Sequence, residues 1–146
     1  MQMQLTTVNQ WVHDQDEALE FYTEKLGLEL RDDVTVPELG NFRWLTVGPV
    51  GQPDIAVVLM AIPGPPVFEP ETTTQLQDLV AKGAAGGLFF ATDDIQGTYE
   101  ELKGKGVEFV HKPRVVSQGE QLELWAATFR DPDGHAIALT RWELRR

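Results

Sequence analysis

Leu5 to Val12 (LTTVNQWV) mixes apolar and polar positions and reads as a strand, because its Thr, Val and Trp content favours extended backbone. The period then changes to that of a helix. Asp14 is placed to accept hydrogen bonds from first-turn amides, and Glu17 follows three residues on, as a capping box requires. Ala18, Leu19, Tyr22 and Leu26 recur at helical spacing, and Gly27 can take the left-handed conformation that ends the helix. Three strands are predicted next: Leu28 to Val36, Asn41 to Val47 and Ile55 to Met60. Turn-forming residues separate them at Pro37 to Gly40 and Gly48 to Asp54.

The same order then recurs. Gly87 to Thr92 is a short apolar strand, and Asp94 caps a second helix carrying Ile95, Tyr99 and Leu102 on one face. Gly104 and Gly106 close that helix, and Val107 to Lys112, Leu122 to Arg130 and Ala136 to Thr140 supply three more strands. A repeat of roughly 80 residues in two copies is too long for a solenoid. The expected fold is α+β: two βαβββ modules forming a curved mixed sheet around a ligand cavity. One domain is expected over residues 1–146, with module one at 1–60, a linker at 61–86 and module two at 87–146. The linker opens on the proline-rich run IPGPPVFEP, which should be irregular. Thr72 to Lys82 is expected to form a short helix with Leu76, Leu79 and Val80 placed to dock, and so long a linker is a candidate lid.

Composition narrows the partners. The net charge of −11 argues against a nucleic-acid partner, which needs clustered Lys and Arg. The same charge can steer a cationic ligand, or simply keep the protein dissolved. Cysteine is absent, which excludes disulfides, thiol nucleophiles and thiolate metal sites. No apolar run approaches the ~20 residues needed to cross a bilayer. The first residues, Met1 to Leu5, carry neither the basic region nor the apolar core of a signal peptide. A cytoplasmic protein without a membrane partner is expected.

Several motifs, in order, carry a family likeness. The run Asp14-Gln15-Asp16-Glu17-Ala18-Leu19-Glu20-Phe21-Tyr22, closing with Lys25-Leu26-Gly27, resembles the first helix of the vicinal oxygen chelate superfamily. That superfamily includes glyoxalase I, the bleomycin-resistance proteins and the extradiol dioxygenases. Thr92-Asp93-Asp94-Ile95, Lys105-Gly106-Val107-Glu108-Phe109 and Phe129-Arg130-Asp131-Pro132-Asp133-Gly134 extend the likeness across the second module. The resemblance implies sheets curled into half-barrels with helices on the convex side, a cavity on the concave side, and a homodimer.

In metal-bound members, His, Gln or Glu side chains reach the cavity from the first and last strand of each module. The matching positions here are expected at Thr7, Ala56, Gly87 and Ala138, and such a set cannot hold a divalent ion. His13, His111 and His135 are scattered, with His13 and His135 expected at the surface. The expectation is therefore a cavity with no metal and no cofactor.

Strand alternation suggests what lines it instead. If Thr7 points inward, so do Asn9 and Trp11, with Ala56, Val58 and Met60, and with Phe89, Ala91, Ala138 and Thr140. Trp44 and Trp125, with Glu123, are further candidates, and all the aromatic residues also suit an ordinary core. Glu123, if buried, would bind a cation or act as a base. Two functions follow. One is metal-independent binding of an aromatic or cationic small molecule, as in drug sequestration. The other is an isomerase or lyase using Glu123 or His111 as base. A metal-dependent glyoxalase or dioxygenase activity would need an atypical site, and a surface-acting protein is a fourth reading.

Overall fold

The structure, a computed structural model, describes residues 1–145. Strand β1 (Thr7–Val12) leads into helix α1 (Gln15–Glu20), followed by β2 (Glu29–Val36), β3 (Phe42–Gly48) and β4 (Ala56–Ala61). Helix α2 (Pro70–Ala81) lies between the modules, and β5 (Phe89–Ala91), α3 (Ile95–Gly104), β6 (Phe109–Gln118), β7 (Leu122–Arg130) and β8 (Ala136–Leu144) form the second. The sheets have the orders β1-β4-β3-β2 and β5-β8-β7-β6, so each module has the same topology. In each sheet the first and last strands run parallel and the other neighbours antiparallel. This is the α+β two-module architecture that the pattern implied, with both sheets left open.

Local chemistry accounts for the helix ends. The Asp14 carboxylate accepts from the Glu17 amide at 2.9 Å, and Asp94 does the same for Gly97 at 2.9 Å. After Glu20 the first helix widens into a π-helical turn, Phe21–Lys25, and Gly27 closes it at φ 74°.

Two strands and one helix depart from expectation. β6 continues through Pro113 to Gln118, because the ladder slips between His111 and Arg114 and needs no amide hydrogen at the proline. β8 extends from Thr140 to Leu144, paired with the start of β7. In α2 only Val80 is fully buried, whereas Leu79 stays exposed.

The helix-covered faces of the two sheets meet in a single core. Val12, Leu45, Leu59 and the α1 residues Ala18, Phe21 and Tyr22 pack with Ile95, Leu102, Phe129, Ile137 and Leu139 of module two. The opposite face of each sheet is left without a layer. Polar groups fix how the modules meet. Gln10 donates to the Tyr22 hydroxyl at 2.6 Å, and Tyr22 donates to Asp131 Oδ2 at 2.7 Å. Asp131 Oδ1 accepts from the amides of Asp133, Gly134 and His135, which locks the turn before β8.

His135 is not at the surface. It is 1% exposed, and its Nε2 meets the Trp11 carbonyl across the seam. His13 is exposed, as expected, although its amide donates to Asp133 and its ring lies 3.2 Å from Asp133 Oδ1 and 3.1 Å from the Gln77 carbonyl. The asparagine, aspartate or glycine pattern of a turn gives no sign of such contacts.

The buried Tyr22 phenol is held well above its ordinary pKa by burial first and then by the Asp131 carboxylate. Tyr22→Phe leaves Gln10 and Asp131 short of a partner and is expected to cost about 1–3 kcal/mol in chemical denaturation. The Asp133 carboxyl is raised, mainly by burial and against the opposing His13 amide bond. A carboxyl raised in the folded state contributes stability at pH below its ordinary value, and loses it as the pH rises through the raised value. Asp133→Asn should therefore flatten the decline in thermal stability as the pH rises above the ordinary carboxyl range of about 4. An equally steep decline in the variant would contradict this assignment.

Candidate functional site

The uncovered face of the first sheet follows from its register. Thr7 lies beside Ala56, and Asn9 beside Val58, Thr46 and Asp32 in turn. Two residues further along each strand, Trp11 lies beside Met60 and Trp44 beside Val34. Trp44 precedes Thr46 by two residues as Met60 follows Val58 by two, so one row runs Trp11–Met60–Trp44–Val34 across the sheet. The adjacent row, Asn9–Val58–Thr46–Asp32, carries the polar groups. Thr46 Oγ1 accepts from the Asp32 amide at 3.0 Å and donates to its carboxylate at 3.1 Å.

At the end of the aromatic row lies a cavity of about 570 Å³ lined by Trp11, Phe42, Met60, Leu39 and the linker residues Pro63 to Val67. Phe68 meets the Trp11 ring edge-on, with centroids 5.9 Å apart. The proline-rich start of the linker thus walls this cavity. Arg43 touches it but is turned toward α1, paired with Asp33 at 2.9 Å and Asp16 at 2.7 Å. Those bonds hold the Asp33 carboxyl below its ordinary pKa.

The open face of the second sheet carries Phe89, Ala138, Thr128 and His111 in one row, and Ala91, Thr140, Ala126 and Arg114 in the next. Phe89 is 80% exposed, unusual for a phenylalanine. His111 Nδ1 lies 2.9 Å from the Lys112 carbonyl, which can only accept, so this nitrogen carries the hydrogen. Its Nε2 then faces the Thr128 hydroxyl at 3.1 Å as an acceptor.

Of the residues singled out in the sequence, Thr7, Asn9, Trp11, Trp44, Ala56 and Val58 share the first open face, and Phe89 and Ala138 the second. Trp125 and Glu123 do not join them. They alternate with Phe129 onto the opposite side of β7, where Trp125 packs against the core and its indole donates to Glu123 at 3.0 Å. Gly87 precedes β5, and its backbone runs so close to the Ala136 carbonyl that a side chain there would collide with it. Phe89, not Gly87, occupies beside Ala138 the place that Thr7 holds beside Ala56. Asp32, Thr46 and Phe42 were missed, and only the β2–β3 register brings them to this face.

Residues 4–139 match the Glyoxalase/Bleomycin resistance protein/Dioxygenase superfamily. The chain belongs to this superfamily. Within it, the chain is 34% identical over 139 residues to the uncharacterized protein YurT of Bacillus subtilis (strain 168), covering 95% of this chain and 99% of that protein. Among solved structures, UcmS2 is 42% identical with a TM-score of 0.81, covering 96% of this chain and 98% of the other. TnmS3, an antibiotic binding protein from Streptomyces sp. CB03234, is 28% identical with a TM-score of 0.65, covering 94% and 93%.

Glyoxalases and dioxygenases of this superfamily imply a divalent metal on the open sheet faces. The residues present do not fit one. Thr7, Ala56, Phe89 and Ala138 offer one hydroxyl between them, and among the described residues no three His, Asp or Glu side chains converge. Among the same residues no helix is long and apolar enough to cross a membrane.

Elemental analysis of the purified protein is expected to find zinc, nickel, manganese and iron well below stoichiometric. One bound equivalent of any of them, removable with loss of ligand binding, would contradict the reading of these donors.

Proposed function

We propose that this chain binds a small, largely aromatic molecule on the open faces of its sheets without a metal or cofactor, and sequesters it. The observation that carries the reading is the row Trp11–Met60–Trp44 ending in an apolar cavity. Flat aromatic rings and a methionine offer large contact area at low conformational cost and adapt to different ligands. Asn9 and Asp32, exposed in the next row, supply the few oriented polar groups that fix a ligand's register, and the buried Thr46 hydroxyl holds the Asp32 carboxylate in place. Asp32 and the net charge of −11 favour a ligand with a cationic substituent. The likeness to TnmS3, an antibiotic binding protein, supports the same reading. A cytoplasmic setting is part of it.

The reading includes a homodimer. Each open face leaves apolar side chains in water, Val34 on the first and Phe89, Leu122, Trp142 and Leu144 on the second. A second copy that lays its module two over module one would cover both. The charges suit that pairing, since β2 presents Asp32 where β6 presents Arg114. Asp32→Lys is expected to shift the sedimentation profile toward monomer, and Arg114→Glu added to it should restore the dimer. A monomeric wild-type chain at micromolar concentration would defeat this part of the reading.

One observation favours a second reading, an isomerase or lyase. The His111 Nε2 lone pair sits on the open face, bonded only to a hydroxyl that can swing away, and could serve as a base. Glu123, by contrast, is engaged by Trp125 on the other side of the strand. In that case His111→Asn would abolish turnover and leave ligand affinity intact.

For the binding reading, a screen of aromatic and glycopeptide antibiotics should yield ligands that change tryptophan fluorescence. Such a ligand should stabilise the fold by about 2.7 kcal/mol at a hundredfold excess over Kd. Trp11→Ala and Trp44→Ala are each expected to weaken binding by roughly tenfold or more. A broad screen without any response, or affinities unchanged in both variants, would overturn the proposal.

A further inference from the structure

A second cavity, of about 270 Å³, lies mainly on the core side of the sheets and reaches the open-face rows only at Ala91. One wall is the end of the first helix, Lys25 to Leu28; the other is formed by the end of β5 and by α3. Both modules therefore contribute to it. Its existence traces to local backbone. The π-helical turn Phe21–Lys25 closes with the Leu26 amide bonded to the Phe21 carbonyl at 3.2 Å, a wider loop than an α-turn. Gly27 at φ 74° then turns the chain back, so that Leu28 faces the seam while Lys25 stays at its rim.

The floor is apolar: Leu28, Leu102, Phe129 and Leu139, each less than one-tenth exposed. The rim is polar. Lys25, Lys105 and Glu101 stand on it, and among the described residues no carboxylate pairs with Lys25. Lys105 reaches Glu101 only at 3.8 Å, in a solvent-exposed pair that contributes little. The Thr92 and Thr98 hydroxyls, 2.9 Å apart, complete the rim. Two lysines, one glutamate and two hydroxyls ring the apolar floor, a net positive rim in a chain of net charge −11.

We infer that this cavity is a binding site for a small monoanion with an apolar body, of the alkyl- or aryl-carboxylate class. The body would cover Leu28, Leu102, Phe129 and Leu139, and the carboxylate would meet Lys25 and Lys105, with Thr92 and Thr98 as hydroxyl donors. Bound there, the ligand touches both modules and braces the seam between them. The site is independent of the open-face reading, because it shares no residue with the Trp11–Trp44 face and contains no tryptophan.

Octanoate and its neutral counterpart octanamide are suitable probes, with amide chemical shifts as the readout. Octanoate is expected to give saturable shifts at Gly27, Leu28, Thr92 and Thr98, weakening as salt is raised. Octanamide should bind roughly tenfold more weakly or not at all. The double variant Lys25→Gln with Lys105→Gln alters only rim residues. It should unfold at the wild-type temperature yet bind octanoate roughly tenfold more weakly. Equal binding of octanamide, unchanged affinity in the double variant, shifts confined to the Trp11–Trp44 face, or no binding at all would each overturn the inference. Tryptophan fluorescence, read in parallel with an open-face ligand, reports the other site separately.

Discussion

A short chain of buried hydrogen bonds, from Gln10 through the Tyr22 hydroxyl to Asp131, governs how the two modules sit against each other. Each partner would be costly to bury alone, and although Asp131 Oδ1 is satisfied within its own turn, its Oδ2, the Tyr22 hydroxyl and the Gln10 amide find their partners only in other elements. The chain therefore demands that β1, the first helix and the turn before β8 come together in one arrangement. Apolar packing of Phe21 against Phe129, with ring centroids 6.4 Å apart, follows from the same approach. Once the helix-covered faces are spent on each other, the other two sheet faces must look outward. Everything proposed about ligand and partner rests on that outward placement.

Much of this was legible along the chain. The duplicated strand–helix–three-strand order, both aspartate caps and the closing Gly27 could be read from local chemistry, because each depends on residues within a few positions. The first open face could be read too, since alternation from Thr7 fixes Asn9 and Trp11 together. What could not be read depended on partners far away in sequence. His135 has the setting of a surface turn residue, and only the Trp11 carbonyl, 124 positions distant, explains its burial. Trp125 and Glu123 sit on a strand whose alternation is anchored by Phe129, and nothing local says that Phe129 rather than Thr128 faces the core. Pro113 reads as a strand terminator, but a slip in the β6–β7 ladder lets the strand pass through it.

The superfamily supplies a fold on which metal chemistry is common, and this chain keeps the fold while placing small or apolar residues where donors would stand. Fold alone does not carry function. What replaces the donors is a surface suited to contact rather than coordination, with aromatic rings and a methionine in one row and a hydroxyl–carboxylate pair in the next. The proline-rich linker adds a wall to the same cavity, which gives that long segment a physical role beyond connecting the modules. The proposed binding role rests on that surface, while on the other open face His111 and Thr128 stand paired at 3.1 Å.

The most direct measurement is a crystal structure of the protein with a bound aromatic ligand, determined from material prepared without added metal. The account predicts ligand density stacked along Trp11, Met60 and Trp44, with a second copy closing over it and polar contacts from Asn9 or Asp32. Ligand coordinated to a metal ion on that face, or lodged elsewhere while the aromatic row stays bare, would contradict it.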